Sequence, residues 1–241
     1  ASLRDSERMN FLRSLDGVIA YSRRGAEEYR LLGLPAERVF VASNAVDPRP
    51  KSTPLGRPDQ FHGAPCVLFI GRLQDRKRVD LLLQASAGLP QEIQPRLIVV
   101  GDGPARAELE RLAQQVFPQA EFVGARHGAE LEPYFEQADL FVLPGTGGLA
   151  VQQAMAHGLP VIVAQGDGTQ DDLVREENGW QIPADDLDAL QKTLTQALSS
   201  PQRLRQMGGE SYRIVDQEVN LEMMATSFVH ALNNTTLLHR T

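Results

Sequence analysis

Two short stretches carry the residue types that could bind and stabilise a phosphate. The first is Gly71-Arg72-Leu73-Gln74-Asp75-Arg76-Lys77-Arg78, with four basic residues in eight positions of a chain that is acidic overall. An arginine fork matches a phosphate in two places, and a lysine supplies a compact point charge. The second is Gly145-Thr146-Gly147-Gly148-Leu149-Ala150. Glycines there permit a tight turn and let a ligand approach the backbone. A glycine turn that feeds a helix leaves free N–H groups facing outward, which favours an anion. Together the two stretches point to a pyrophosphate. Taken singly, each also fits a plain turn or a solvated basic loop.

The elements around them must hold both stretches at one edge of a sheet. Asp139 to Ala164 reads as strand, glycine turn, helix and strand, with Leu140 to Leu143 and Val161 to Ala164 as the strands and Leu149 to His157 as the helix. Short apolar runs of this kind suit strands buried on both faces. Further strands are expected at Val18–Ala20, Val39–Ala42, Cys66–Ile70, Leu97–Val100, Glu121–Val123 and Trp180–Ile182. Between them, helices are expected at Arg24–Leu32, Val79–Ala87, Ala105–Val116, Glu130–Ala138 and Gln170–Arg175, and one follows Leu187, Leu190, Leu194 and Leu198. The tail after about Tyr212 reads as one long amphipathic helix through Leu221, Met224, Phe228 and Leu232, placed to cross back to the first part of the chain. Strands alternating with crossover helices imply an α/β fold, a Rossmann-like doubly wound parallel sheet.

Residues 48–64 are dense in proline and glycine without periodicity, which reads as a linker. It divides a short first unit, residues 1–47, from a larger one, residues 65–212, with residues 213–241 as the closing helix. The chain opens Ala1-Ser2-Leu3-Arg4 without a methionine, as expected of a partial or processed chain.

Composition narrows the function. The formal charge of −7, from 24 basic and 31 acidic residues among 241, argues against general nucleic-acid binding. The single cysteine, Cys66, rules out an intrachain disulfide and fits a reducing compartment. No apolar run has the length of a membrane span and no signal-peptide pattern is present, so a soluble or peripherally attached protein is expected. The five histidines, His62, His127, His157, His230 and His239, lack metal-ligand spacing. Asp171 and Asp172 are expected to supply capping charge at a helix start. Gly145-x-Gly147-x-x-Ala150 also has dinucleotide-fingerprint spacing, with Asp167 about the right distance on. Its late position in the domain and the nearby basic loop disfavour an NAD enzyme.

The ordered segments Gly71-Arg72-Leu73-x-x-x-Lys77, Val99-Val100-Gly101-Asp102-Gly103-Pro104, Phe122-Val123-Gly124, Ala138 to Pro144, Gly148-Leu149 and Ala154-Met155-Ala156-x-Gly158-x-Pro160-Val161 resemble a known family. They are similar to the C-terminal, donor-binding domain of retaining GT-B glycosyltransferases of group 1 (glycosyltransferase family 4 type), over about Pro65 to Leu198. Residues up to Asp47, with Asn44-Ala45-Val46-Asp47, resemble the end of that family's acceptor-binding domain. The resemblance implies a nucleoside-diphosphate sugar donor, UDP- rather than GDP-linked, and transfer of a hexose to a glycan or glycoconjugate in polysaccharide biosynthesis. It implies that Arg72 and Lys77 hold the diphosphate and stabilise the leaving charge, with no metal. It places Gly71, Gly147, Gly148, Leu149 and Ala150 at the phosphates, Gly124 and Arg126 by the base, and Gln153 at the ribose.

The chain departs from the family in several places: the loop from Pro144 to Gly148 is shorter, Arg78 replaces a common glycine, and a pair of acids is lost. Where it has a pair of glutamates, this chain has Gly145 and Gln153. Gln153 can still bond ribose hydroxyls, without charge assistance. Gly145 offers no side chain to the donor sugar. A non-catalytic nucleotide-binding or interaction module of the same fold is therefore the rival reading. The family's acceptor site lies in a domain largely missing here, so the chain alone is expected to bind donor without transferring sugar. The expected setting is cytoplasmic, with peripheral contact to the inner face of the cell membrane made through the missing domain.

Overall fold

The computed structural model describes residues 3–238, except 167 and 169. Helix α1 (Leu3–Arg13), strand β1 (Val18–Ala20), helix α2 (Arg23–Leu31) and strand β2 (Val39–Val41) form a small first unit. Then follow β3 (Cys66–Ile70), α3 (Val79–Ala87), β4 (Arg96–Val100), α4 (Arg106–Val116), β5 (Glu121–Gly124) and α5 (Glu132–Gln137). The chain continues through β6 (Leu140–Leu143), α6 (Ala150–Ala156), β7 (Val161–Ala164), β8 (Gly179–Ile182), α7 (Leu187–Leu198), α8 (Pro201–Gln217) and α9 (Leu221–Leu238).

Strands β3 to β8 form one six-stranded sheet in the order β5-β4-β3-β6-β7-β8, and every pairing is parallel. The apolar runs explain it. All residues of β3, β6 and β7 are buried, so helices must cover both faces. The order reverses between β3 and β6. A crevice forms at such a switch point, outside the carboxyl ends of the two strands, and ligands bind there. The loop after β3 begins at Gly71 and the loop after β6 holds Gly145 to Gly148, so the topology brings the two phosphate-type stretches to one crevice.

The small unit has its own core of Leu12, Ala20, Ala26, Leu34 and Val39. Its two strands pair in parallel, Val18 with Val39 and Ala20 with Val41. Helix α9 lies against it: Ala231 is buried, and the His230 ring meets Phe40 edge-on at 6.1 Å. Buried Gln152 on α6 ties the parts together, accepting from the Val46 N–H (2.9 Å) and donating to the Val219 carbonyl (2.8 Å).

Three local expectations need correction. Residues 170–175 form turns instead of a helix, because polar side chains take the backbone bonds. Asn178 Oδ1 accepts from the Arg175 N–H, and the Asp172 carboxylate caps a different helix, accepting from the Arg23 N–H at the start of α2 (2.9 Å). The helix expected over 130–138 splits into a 3-10 turn, Gly128–Leu131, and α5, whose first turn holds Pro133. The single tail helix is two helices. Buried Asn220 separates them: its amide donates to the Val215 and Asp216 carbonyls, and its oxygen accepts from the Met223 N–H. Helix α1 carries no marked apolar face and was not foreseen. Asp167, the acid of the fingerprint reading, lies outside the described residues.

Two arginines pin the linker: Arg205 donates to the Pro58 carbonyl (2.7 Å), and Arg57 reaches out from the linker itself. The Arg57 guanidinium donates to the carbonyls of Ala138 (2.8 Å), His157 (2.9 Å), Gly158 (3.3 Å) and Phe135 (2.8 Å). Arg57→Ala leaves these acceptors unmatched and is expected to destabilise the chain by about 3 kcal/mol in denaturant unfolding.

Candidate functional site

The crevice is built from backbone first. The loop after β3 packs onto the loop after β4: the Gly71 N–H donates to Val100 O, and Leu73 N–H to Asp102 O. The backbones are so close that a Cβ at Gly101 would stand 1.9 Å from Gly71 O. This fixes the start of the basic stretch. A 3-10 turn, Asp75–Lys77, then brings Lys77 under the glycine turn.

Lys77 is 6% exposed. Its ammonium donates to Thr146 O (2.9 Å) and to Gly147 O, which leaves one of its three N–H bonds uncommitted. Burial first, and then the neighbouring Arg76 charge, push its pKa down to about 8. A buried ammonium survives because carbonyl oxygens replace water around it.

The turn is clamped in return. The Thr146 N–H donates to Arg76 O (3.0 Å), and a Cβ at Gly145 would lie 2.1 Å from that same oxygen. Gly145 is thus a contact between two backbones, and a side chain there has nowhere to go. Gly147 takes φ +63°, which turns the chain into α6. The peptide N–H groups of Gly147, Gly148 and Leu149 make no hydrogen bond among the described residues. Three consecutive free N–H groups beside a buried cation form an anion nest. Helix α6 has only seven residues, so these donors matter more than its dipole.

The other nominated residues divide. Arg72 is exposed on the loop after β3, with no side-chain partner among the described residues. Gly124 ends β5 at φ +78°; a Cβ there would lie 3.3 Å from the Arg106 guanidinium and 3.7 Å from that of Arg126. Arg126 is half-buried and donates to Ala125 O. Ala150 opens α6. Gln153, one turn on, has an amide with no partner among the described residues and lines a cleft of about 720 Å³ with Gly128, Leu131 and residues Asp47 to Leu55. Lys77 and the glycines therefore meet directly, while Arg72, Arg126 and Gln153 stand on separate elements bordering the crevice. A smaller cavity of about 430 Å³, between the start of α3 and α4, includes none of the nominated residues.

Sequence reasoning missed two participants. Arg76 was seen only as part of a basic run, yet its Nη1 donates to Thr146 O (3.3 Å). Gln152 gave no signal, because both its partners are distant in sequence. Arg78, in contrast, turns away and pairs with Asp80 and Asp185.

The sealed contact makes a steric prediction. Gly145→Ala forces the turn off the 75–77 segment and is expected to cost about 1–3 kcal/mol in unfolding experiments. Gly209→Ala, where nothing lies within 4 Å of the added carbon, is the control and should leave stability unchanged or improve it.

Comparison with known proteins gives the family and the fold. The family model of glycosyl transferases group 1 matches residues 57–213. The chain is 36% identical over 179 residues to a GDP-mannose-dependent alpha-mannosyltransferase of Mycobacterium tuberculosis, covering 71% of this chain and 45% of that protein. It is 32% identical over 148 residues to the sulfoquinovosyl transferase SQD2 of Arabidopsis thaliana, covering 58% of this chain and 27% of that one. The chain thus spans less than half the length of these curated relatives. Among solved structures it is similar to Anabaena HepE in complex with UDP (TM-score 0.77, 20% identity, 95% of this chain and 67% of that one). It is also similar to sucrose-phosphate synthase of Thermosynechococcus elongatus (TM-score 0.74, 26% identity, 99% of this chain and 62% of that one). The sheet order, the crevice loops and a family match over more than half of its length agree: the chain belongs to the group 1 glycosyl transferases.

Proposed function

We propose that this chain is the donor-binding half of a retaining glycosyltransferase, which passes a sugar from a nucleoside-diphosphate sugar to a glycan or glycoconjugate acceptor. The observation that carries the reading is the nest of three free N–H groups at Gly147 to Leu149 beside the buried Lys77 ammonium. Such a nest stabilises charge that grows on a departing diphosphate, and it does so without reorganising at the moment of reaction.

In this reading Lys77 and Arg72 are the two cations that match the two charges of the esterified diphosphate. Arg72, unpartnered and exposed, swings in from the loop after β3. The N–H groups of Gly147, Gly148 and Leu149 take the remaining phosphate oxygens, and Gly71 and Ala150 border them. Gln153 bonds the ribose, and Gly124 with Arg126 flank the base. The bond from the sugar's anomeric carbon to the terminal phosphate oxygen breaks as the acceptor hydroxyl oxygen bonds to that carbon on the same face; the phosphate oxygen keeps the electron pair under the two cations and takes up the hydroxyl proton. Fixed cations do this work, so the reading calls for no metal.

The relatives' names support both bases: the M. tuberculosis protein is GDP-mannose-dependent and the Anabaena structure holds UDP. The chain covers 45% of the M. tuberculosis relative, and we propose that the acceptor site belongs to the uncovered part and that the chain alone binds donor without turnover. Among the described residues no helix is long and apolar enough to cross a membrane. We place the protein in the cytoplasm, with any contact to the membrane's inner face made by the acceptor domain.

One observation favours the rival non-catalytic reading. The Thr146 and Gly147 carbonyls occupy Lys77 where a phosphate would sit, and Gly145 supplies no group for the sugar. Calorimetric titration separates the two. UDP or GDP should bind, and Arg72→Ala and Lys77→Met should each weaken it by about tenfold or more, the worth of a hydrogen bond to a charged group. Heat from neither nucleotide, in the chain or in the full-length gene product, would contradict the donor reading.

A further inference from the structure

We propose that Arg76 is a specificity-determining residue of the crevice and selects a donor whose sugar bears an acidic substituent, as the carboxylate of a hexuronic acid does. The inference rests on the donor-binding reading above and extends it to the class of sugar.

The side chain is exposed but held in place. Its Nε donates to Gln74 Oε1 (3.1 Å) and its Nη1 to Thr146 O (3.3 Å). A Cβ on Gly147 would lie 3.4 Å from Nη1, so the guanidinium stands over the glycine turn. Its Nη2 has no partner among the described residues. A guanidinium fixed at two nitrogens with its remaining edge free is preorganised for a further acceptor.

Charge counting identifies that acceptor. A nucleoside-diphosphate sugar with a neutral sugar carries two negative charges, and Lys77 and Arg72 match them. Arg76 is a third cation at the same turn. Two neighbouring arginines are neutralised by acids, Arg78 by Asp80 and Asp185 and Arg106 by Asp102 and Glu110, while Arg126 stands on the loop after β5, away from the turn. Arg76 has no acidic partner among the described residues. Nor can an acid be introduced beside it from the turn, because Gly145 is sealed against Arg76 O. The depressed Lys77 pKa reflects this uncompensated charge in part. A carboxylate on the donor sugar supplies the missing charge through a charge-assisted fork.

The test is calorimetry on the folded chain with UDP, UDP-glucose and UDP-glucuronate, and in parallel GDP, GDP-mannose and GDP-mannuronate. For the base that binds, the uronate should bind about fivefold tighter than its neutral counterpart. In Arg76→Ala the two should bind alike, and in Arg76→Lys the preference should fall between. A neutral sugar nucleotide bound as tightly as the uronate by the unaltered chain overturns the inference. So does an equal loss for nucleotide, neutral donor and uronate in Arg76→Ala, which would make Arg76 a third phosphate ligand. Absence of binding by any nucleotide instead removes the donor reading, and the inference with it.

Discussion

A buried ammonium under a glycine turn is the constraint on which this structure depends. Lys77 is taken from water and surrounded by the Thr146 and Gly147 carbonyls, and the turn can curl over it only because Gly145 brings two backbones into contact. Burying a lone charge is costly, so the carbonyls are as necessary to the lysine as the lysine is to the turn. The same arrangement leaves three peptide N–H groups without a partner among the described residues. Cation and donors are therefore assembled in advance, as the proposed diphosphate site would need.

The sheet makes that assembly possible. Six parallel strands end on one edge, and the reversal between β3 and β6 opens a crevice there. Nothing in the local chemistry of residues 71–78 places them beside residues 145–148; the β3–β6 pairing does. The small first unit is linked to the crevice from behind. Gln152 and Asp172 both bond to it from the loops and helices that follow β6 and β7, and the Leu221 N–H donates to Asp47 O where the tail begins to return. A shift of the first unit would therefore be felt by the helix that carries Gln153.

How much of this was legible in the sequence follows from how local each cause is. Buried strands announce themselves as apolar runs such as Cys66 to Ile70, and the glycine turn and basic stretch are visible as composition, so fold class and the two halves of the site could be read directly. The exceptions involve side chains whose partners are far along the chain. Asp172 caps a helix 149 residues away, and Gln152 bonds Val46 and Val219, so neither leaves a periodic or spaced signal. Asn220 could have been suspected, since asparagine often interrupts helices, yet the apolar spacing on either side concealed the break. Gly145 was legible as an oddity, and only the coordinates show its reason, the Arg76 carbonyl where a side chain would be.

The most direct test of the account is the titration of Lys77 itself, followed by NMR of its side-chain Cε and Nζ resonances with and without nucleotide. The account predicts a pKa of about 8 in the free protein, from burial and the adjacent Arg76. It also predicts a rise when UDP or GDP binds, because a phosphate favours the charged form. By linkage, nucleotide then binds less well as the pH climbs past the free value. A lysine that titrates near its ordinary 10.5, or one indifferent to nucleotides that bind elsewhere on the chain, would contradict it.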